Sequence, residues 1–373
     1  MSELAYGVRA VPVVRQERIE GLRLEWGLTL LWWWQTVGVY LDGWAHAHLD
    51  LQDNFFTPWH AVLYSGVTAA ALLLGAVIVA NHGRGYAWPQ AVPAGQGLTL
   101  LGLGLFGLGG FLDMLWHIRF GVESNIEALV SPTHLLLVVS NTLVIGGILR
   151  AAWQRPAAQA RALPAVHRLP IPLGLALVFN GLSIFSDYAN PLNRTWIATN
   201  LRVPGVSPVG WPLEQGLALA GTLVYSALLV GLVGLALRRW PQYLPPGSMT
   251  LIISLNVIPN ALIHDRWQAT GPWPIIAAGV LAGLLADGLL IALRPTVQRV
   301  GPFRLFAFAV PTLLIALDFI AVPLSGAQGW GAVHLWAGTP ILAGMAGLLV
   351  SFLIVPPVVP AEARLDEEPH PAV

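Results

Sequence analysis

Long apolar runs separated by short polar segments recur from one end of the chain to the other. Ten runs are found, with approximate spans 24–43, 59–80, 97–117, 131–151, 170–188, 212–237, 247–264, 272–293, 304–324 and 332–356. A helix needs about 20 residues to cross a bilayer, and these runs are apolar on every face, whereas membrane strands alternate apolar and polar residues. The pattern predicts an all-α, polytopic integral membrane helical bundle with about ten transmembrane helices.

The composition supports this class and limits the chemistry. Hydrophobic residues make up 55% of the chain and charged residues only 10%, whereas about a quarter of a soluble domain is charged. The absence of cysteine excludes disulfides, thiolate metal ligands and cysteine nucleophiles. A formal net charge of +0 gives no reason to expect nucleic acid as a partner. We expect a cytoplasmic arm (1–23), a transmembrane domain with repeated hairpins (24–356) and an acidic cytoplasmic tail (357–373).

The arginines predict the orientation, since the chain contains no lysine. Fifteen of the 19 basic residues fall in the N-terminal arm, in alternate loops and in the tail; the other four are Arg119, Arg194, Arg202 and Arg266. Because basic loops stay in the cytoplasm, we expect both termini inside. The protein would then be a multi-pass protein of a bacterial cytoplasmic membrane.

Two stretches repeat the same unusual polar pattern. The segments LDGWAHAHLDLQDNFFTPWHAVLYSG and LDMLWHIRFGVESNIEALVSPTHLLLVVSN both begin with Leu-Asp-x-x-x-His and continue to Ser/Thr-Pro-x-His. The aspartate and the first histidine lie one helical turn apart and share a face. The Ser or Thr is typical of an N-cap and the proline of the first helical position, which puts the second histidine at the third. Each hairpin therefore predicts one Asp-His-His set at its outer turn.

These residue types favour a metal site. The two predicted sets are Asp42, His46 and His60, and Asp113, His117 and His134. Copper(II), zinc and iron(II) all accept nitrogen and oxygen ligands of this kind. A single histidine at a helix end is usually structural, but a duplicated set of intramembrane ionisable residues favours function. Four methionines and no cysteine make a copper(I) relay the less favoured reading.

Other polar residues fall near the same predicted membrane face. They are candidates for additional ligands or for a proton route: Glu123, Glu127, Asp187, Glu214, His264, Asp265, Asp318 and His334. Asp287, nearer the inner side, is either a structural polar contact or part of a proton route. A transporter would need such groups to continue inward, and Asn141, Asn180 and Asn256 are candidates for that path.

The duplicated sets resemble the copper-ligand pattern in the C subunit of the membrane-bound methane and ammonia monooxygenases. The matching residues are the six of the two predicted sets, so the resemblance covers two hairpins, about a quarter of the chain. This chain has more predicted helices, and the gap in its second set is longer. The resemblance implies copper and oxygen chemistry, and it favours copper over zinc or iron.

Three functions remain open from the sequence. The first is a membrane metalloprotein with its site near the extracytoplasmic face, acting as a copper- or iron-dependent oxidoreductase. The second is a metal-ion or proton-coupled transporter that uses the same residues as cargo ligands. The third is a haem-binding membrane protein, although haem would not explain the aspartates. The lipid bilayer is the expected partner; a homo-oligomer or an electron-donor subunit is left open.

Overall fold

The described part of the chain is almost wholly helical. The computed structural model describes residues 16–49, 56–121, 130–156, 162–189, 192, 210–240, 244–263, 271–326 and 332–357. In these residues the sole β contact is an isolated bridge between Thr296 and Arg299. The predicted all-α polytopic bundle is confirmed.

Ten main helical segments follow one another along the described residues. They are α1 Leu22–His48, α2 Pro58–Gly83, α3 Gly97–Phe120, α4 Pro132–Gln154, α5 Ala165–Ser183, α6 Gly210–Arg239, α7 Ser248–Ile263, α8 Trp273–Leu293, α9 Val300–Leu324 and α10 Val333–Ile354. A short helix, Trp88–Ala91, precedes α3, and a 3-10 helix, Ile184–Ala189, extends α5.

Eight of these segments are long and apolar enough to cross a membrane, namely α2 to α6 and α8 to α10. The other two coincide with predicted spans but differ in character. Helix α1 has 27 residues and includes Arg23, Glu25 and Asp42, while α7 has only 16 residues. The chain is therefore a multi-pass membrane protein, and the count of ten spans, like the cytoplasmic placement of the termini, stays a prediction.

Helices α1 and α2 form a hairpin in which the backbones nearly touch. A Cβ atom on Gly38 would lie 2.4 Å from the Cα of Leu63, and one on Gly66 would lie 2.7 Å from the backbone nitrogen of Gln35. Neither distance is sterically allowed, so both positions require glycine. This close approach brings the C-terminal end of α1 against the N-terminal end of α2.

Helices α3 and α4 form the second hairpin, and the half of it nearer to its tip packs on the first. Leu63 and Val67 of α2 are in one buried cluster with Phe106 of α3, and Leu137 of α4 packs against that cluster. The remaining helices share a larger apolar core, in which α5 packs on α7 and α6 on α10, while α9 lies between α8 and α10. The two polar hairpin tips are therefore neighbours in space.

Candidate metal sites at two hairpin tips

Both returning helices begin with the predicted cap. The hydroxyl of Thr57 accepts a hydrogen bond from the backbone N–H of His60 at 3.2 Å. The hydroxyl of Ser131 accepts one from the N–H of His134 at 3.4 Å. A proline follows each cap, where its missing N–H costs nothing. The predicted N-caps are confirmed, and they turn each histidine toward the end of the preceding helix.

The first set is gathered around one carboxylate oxygen. Asp42 Oδ1 lies 3.2 Å from His60 Nε2 and 3.6 Å from His46 Nε2. The set is partly open to the surroundings, since the side chain of His46 is 40% exposed and that of Asp42 is 23% exposed. Helix α1 continues to His48, five residues beyond the predicted end at 43, and this extension carries His46. The aspartate therefore bridges two imidazoles of neighbouring helices.

The second set is tighter and more buried. Asp113 Oδ2 lies 3.3 Å from His117 Nε2, and its Oδ1 lies 3.4 Å from His134 Nε2. The Asp113 side chain is only 4% exposed. One ligand atom from each of these residues lies within 4.8 Å of the other two, which no other group of three such residues achieves in the described part of the chain. The second set therefore has the dimensions of a site for a single ion.

Hydrogen bonds on the far side of each imidazole orient the second set. The backbone carbonyl of Gly121 can only accept, so His117 Nδ1 must donate to it, at 3.4 Å. A neutral His117 then has a lone pair at Nε2, and this lone pair points at a carboxylate oxygen of Asp113. Two acceptors at 3.3 Å repel each other unless an extra proton or a cation lies with them. The arrangement suits either an imidazolium–aspartate pair or a metal ion.

Two hydroxyl groups complete the second set. Thr133 donates a hydrogen bond to Asp113 Oδ1 at 2.8 Å, and Ser131 Oγ lies 2.8 Å from His134 Nδ1. Hydroxyl groups that form hydrogen bonds with metal ligands in this way fix the orientation of those ligands. Thr133 was not among the residues predicted from the sequence, although its position between the proline and the histidine of the motif was a usable signal.

Tyr64 lies between the two sets, and it too was not among the residues predicted from the sequence. It follows His60 by one turn of α2, with the ring centroids 6.1 Å apart. Its hydroxyl approaches α3 so closely that a Cβ on Gly110, one turn before Asp113, would lie 2.7 Å away. The carboxylates of Asp42 and Asp113 both act electrostatically on this hydroxyl. Tyr64 therefore lies between the two hairpin tips and acts on both sets.

The other candidate residues are not part of these two sets in the described structure. His334 is the second residue of α10 and is exposed, and Asp318 is buried within α9. The side chains of Asp187 and Glu214 and the residues Glu123, Glu127, His264 and Asp265 lie outside what the structure describes. Their proposed roles stay predictions.

Comparison with known proteins adds no assignment. No protein family, no curated protein and no solved structure matches this chain.

Proposed function

We propose that the protein is a membrane metalloprotein and that Asp113, His117 and His134 bind one divalent transition metal. The observation that carries this proposal is the convergence of three ligand atoms within 4.8 Å of one another at a nearly buried carboxylate. The lone-pair contact between His117 and Asp113 supports it, because a cation would remove the repulsion. Asp42, His46 and His60 are proposed as a second and weaker site.

The donor set favours copper, with zinc and iron as the alternatives. Two imidazole nitrogens and one carboxylate suit all three divalent ions, and a site of this type with nitrogen donors usually holds copper(II) most tightly. A haem is less well supported, because the Asp113 carboxylate lies close to both Nε2 atoms, at 3.3 and 3.4 Å. A porphyrin would need the space in front of those nitrogens.

With copper or iron, the proposed reaction class is oxidation of a small substrate at the membrane. The metal would supply redox and Lewis-acid chemistry, while the protein would hold the ion and shape its surroundings. The resemblance to the C subunit of the methane and ammonia monooxygenases supports copper over iron. A transporter remains the second candidate only if the ligands release their ion during turnover.

Metal analysis of purified variants tests the proposal. The full-length protein in detergent should retain metal after passage over a weak chelator, and His134→Ala should lose the ion of the second set. His60→Ala should lose only the weaker ion. His82→Ala is the matched control, because His82 lies at the other end of α2 and contacts the backbone oxygen of Tyr86 at 2.9 Å.

Spectroscopy of the copper-loaded protein identifies the ligands. Paramagnetic resonance should show coupling to two imidazole nitrogens at the tighter site, and one should disappear in His117→Ala. A wild-type protein that retains no more metal than a double variant lacking His60 and His134 would overturn the proposal. The imidazolium–aspartate pair would then be the correct reading of the second set.

We also propose that both hairpin tips face the extracytoplasmic side. The support is the arginine distribution, with 15 of 19 basic residues in the segments that would be cytoplasmic. Reporter fusions in segments 50–55 and 122–129 should both report the outer side. A cytoplasmic signal from either fusion would contradict this orientation.

A further inference from the structure

Asp318 of α9 is a buried carboxyl group that takes no part in the proposed metal sites. It is 1% exposed, and both of its oxygens lack a hydrogen-bond partner among the described residues. No ion pair within that part of the chain includes it. It lies six residues before Leu324, so it is about 9 Å from the end of α9 along the helix axis.

The other buried acid in this half of the bundle shows what a structural carboxylate looks like. Asp287 of α8 is 7% exposed and accepts hydrogen bonds from the backbone N–H groups of Met249 and Thr250 at 3.0 and 2.9 Å. The hydroxyl of Thr250 donates a third, at 2.7 Å. Asp287 thus satisfies unpaired N–H groups at the start of α7, and it is a structural polar contact. Asp318 accepts no such hydrogen bonds from the described residues.

Asp318 borders a hydrogen-bonded cluster in the middle of the bundle. Its charge acts on Tyr225 of α6. The hydroxyl of Tyr225 donates to Asn256 Oδ1 at 2.7 Å, and the amide of Asn256 donates to Asn180 Oδ1 at 3.0 Å and to Ser183 Oγ at 3.1 Å. All of these side chains are buried. The carboxyl is therefore next to polar groups, yet neither of its oxygens is bonded to them.

No charged side chain in the described part of the helices around Asp318 compensates it. Helix α6 contributes Tyr225 at this depth, and its two arginines lie at the opposite, C-terminal end. Helix α8 contributes only Asp287, which is already bonded, and α10 contributes only His334, which is exposed in its first turn. On α9 itself, the guanidinium of Arg304 lies 3.8 Å from the centroid of the Phe352 ring, near the beginning of the helix.

We propose that Asp318 is a proton-binding site within the membrane bundle, which holds an exchangeable proton as a neutral carboxylic acid independently of any metal. An ionised carboxylate without hydrogen bonds or a counter-charge is strongly disfavoured in an apolar interior. A proton removes the charge and needs no cage of ligands, whereas a bound sodium or calcium ion would need several oxygens around it. Ionisable groups at this depth are typical of proton relays.

Infrared difference spectroscopy of the full-length protein tests the proposal. The wild type should show the carbonyl stretch of a protonated carboxylic acid, and this band should be missing in Asp318→Asn and unchanged in Asp287→Asn. In heavy water the band should shift, because the proton exchanges, and at alkaline pH it should disappear. Since asparagine has the shape of the neutral acid, Asp318→Asn should melt within a few degrees of the wild type in detergent.

Each alternative gives a different spectrum. A protonated-acid region that is identical in wild type and Asp318→Asn would show that Asp318 is ionised and overturn the proposal. A band that never shifts in heavy water would show a trapped proton and overturn the exchange. Loss of the band in sodium but not in choline chloride would make the site a cation site instead. If Asp318→Asn does not fold, wild type carrying ¹³C at its aspartate carboxyls supplies the same test, because the label shifts the band only if an aspartic acid produces it, and an acid without hydrogen bonds absorbs at a higher frequency than a bonded one.

Discussion

The two hairpin tips carry the same motif but build it differently. Around Asp42 the histidines contact one carboxylate oxygen, at 3.2 and 3.6 Å, and His46 is 40% exposed. Around Asp113 they contact different oxygens, at 3.3 and 3.4 Å, and the carboxylate is 4% exposed. In the second set each histidine contacts a different oxygen of Asp113, so the three side chains can surround one ion. In the first set both histidines contact the same oxygen of Asp42. The same sequence motif therefore produces unequal sites.

The residue between the proline and the second histidine is one source of the difference. At the first tip it is Trp59, whose Nε1 is buried and has no hydrogen-bond partner in the described structure. At the second tip it is Thr133, whose hydroxyl donates to Asp113. A donor beside the carboxylate fixes its rotation and so separates its two oxygens. A single side chain outside the ligand triplet thus alters the geometry of the set.

The largest expected difference comes from neutralising the two aspartates. Asp113→Asn should weaken metal retention at the second set by more than the about 10- to 100-fold typical of losing an outer partner, because the ligand charge itself is removed. Asp42→Asn should weaken the first set less, since that set is more exposed and less closed. Competition titration of each variant with a chromogenic chelator measures both effects. Equal losses would mean that the two sets are equivalent sites.

A smaller effect on metal affinity is expected from exchanging Trp59 and Thr133, the residues between the proline and the second histidine of each motif. Thr133→Val keeps the shape of the side chain but removes the hydroxyl, so retention at the second set should fall by about 10-fold. Thr133→Ser should restore most of it. The reciprocal change Trp59→Thr should tighten the first set by less than this, because His46 stays exposed. The same chelator titration measures each change. The Thr133 variants are titrated in a His60→Ala background, so that only the second set binds metal, and Trp59→Thr is titrated in a His134→Ala background.

If Thr133→Val leaves metal retention at the second set unchanged, the Thr133 hydroxyl is not the cause of the difference between the two sets. The difference in burial would then be the remaining cause, and a bulky substitution beside His46 should tighten the first set instead.

Local features of both tips were predictable from the sequence. The caps at Thr57 and Ser131 depend on residues within one turn of each other, and so does the placement of each aspartate one turn before a histidine. Such short-range patterns are governed by helix geometry alone. The ten apolar runs were recognisable for a similar reason, since length and composition decide them.

Features that depend on packing between helices were not predictable. Tyr64 reaches the second hairpin because Gly110 leaves room for its hydroxyl. The residues around Tyr64 and around Gly110 contain no pattern that predicts this contact between α2 and α3. The contrast between Asp287 and Asp318 has the same origin. Both are single acids in apolar runs, yet only Asp287 lies opposite the free N–H groups that begin α7. Tertiary placement, rather than residue type, separates a structural acid from a candidate site.

The smallest expected effect tests whether the two tips act on each other. Tyr64→Phe removes the hydroxyl between the sets. Because that hydroxyl acts on Asp42 and Asp113 without being a proposed ligand, both sets should change their metal affinity by only a few-fold. Gly110→Ala should act in the same direction, because its Cβ would lie 2.7 Å from the hydroxyl and displace it. Phe106→Leu is the control for packing alone, since its ring lies against Tyr64 with centroids 5.9 Å apart but carries no polar atom. In the doubly loaded protein, a change confined to one set would assign Tyr64 to that set and leave the hairpin tips as independent sites.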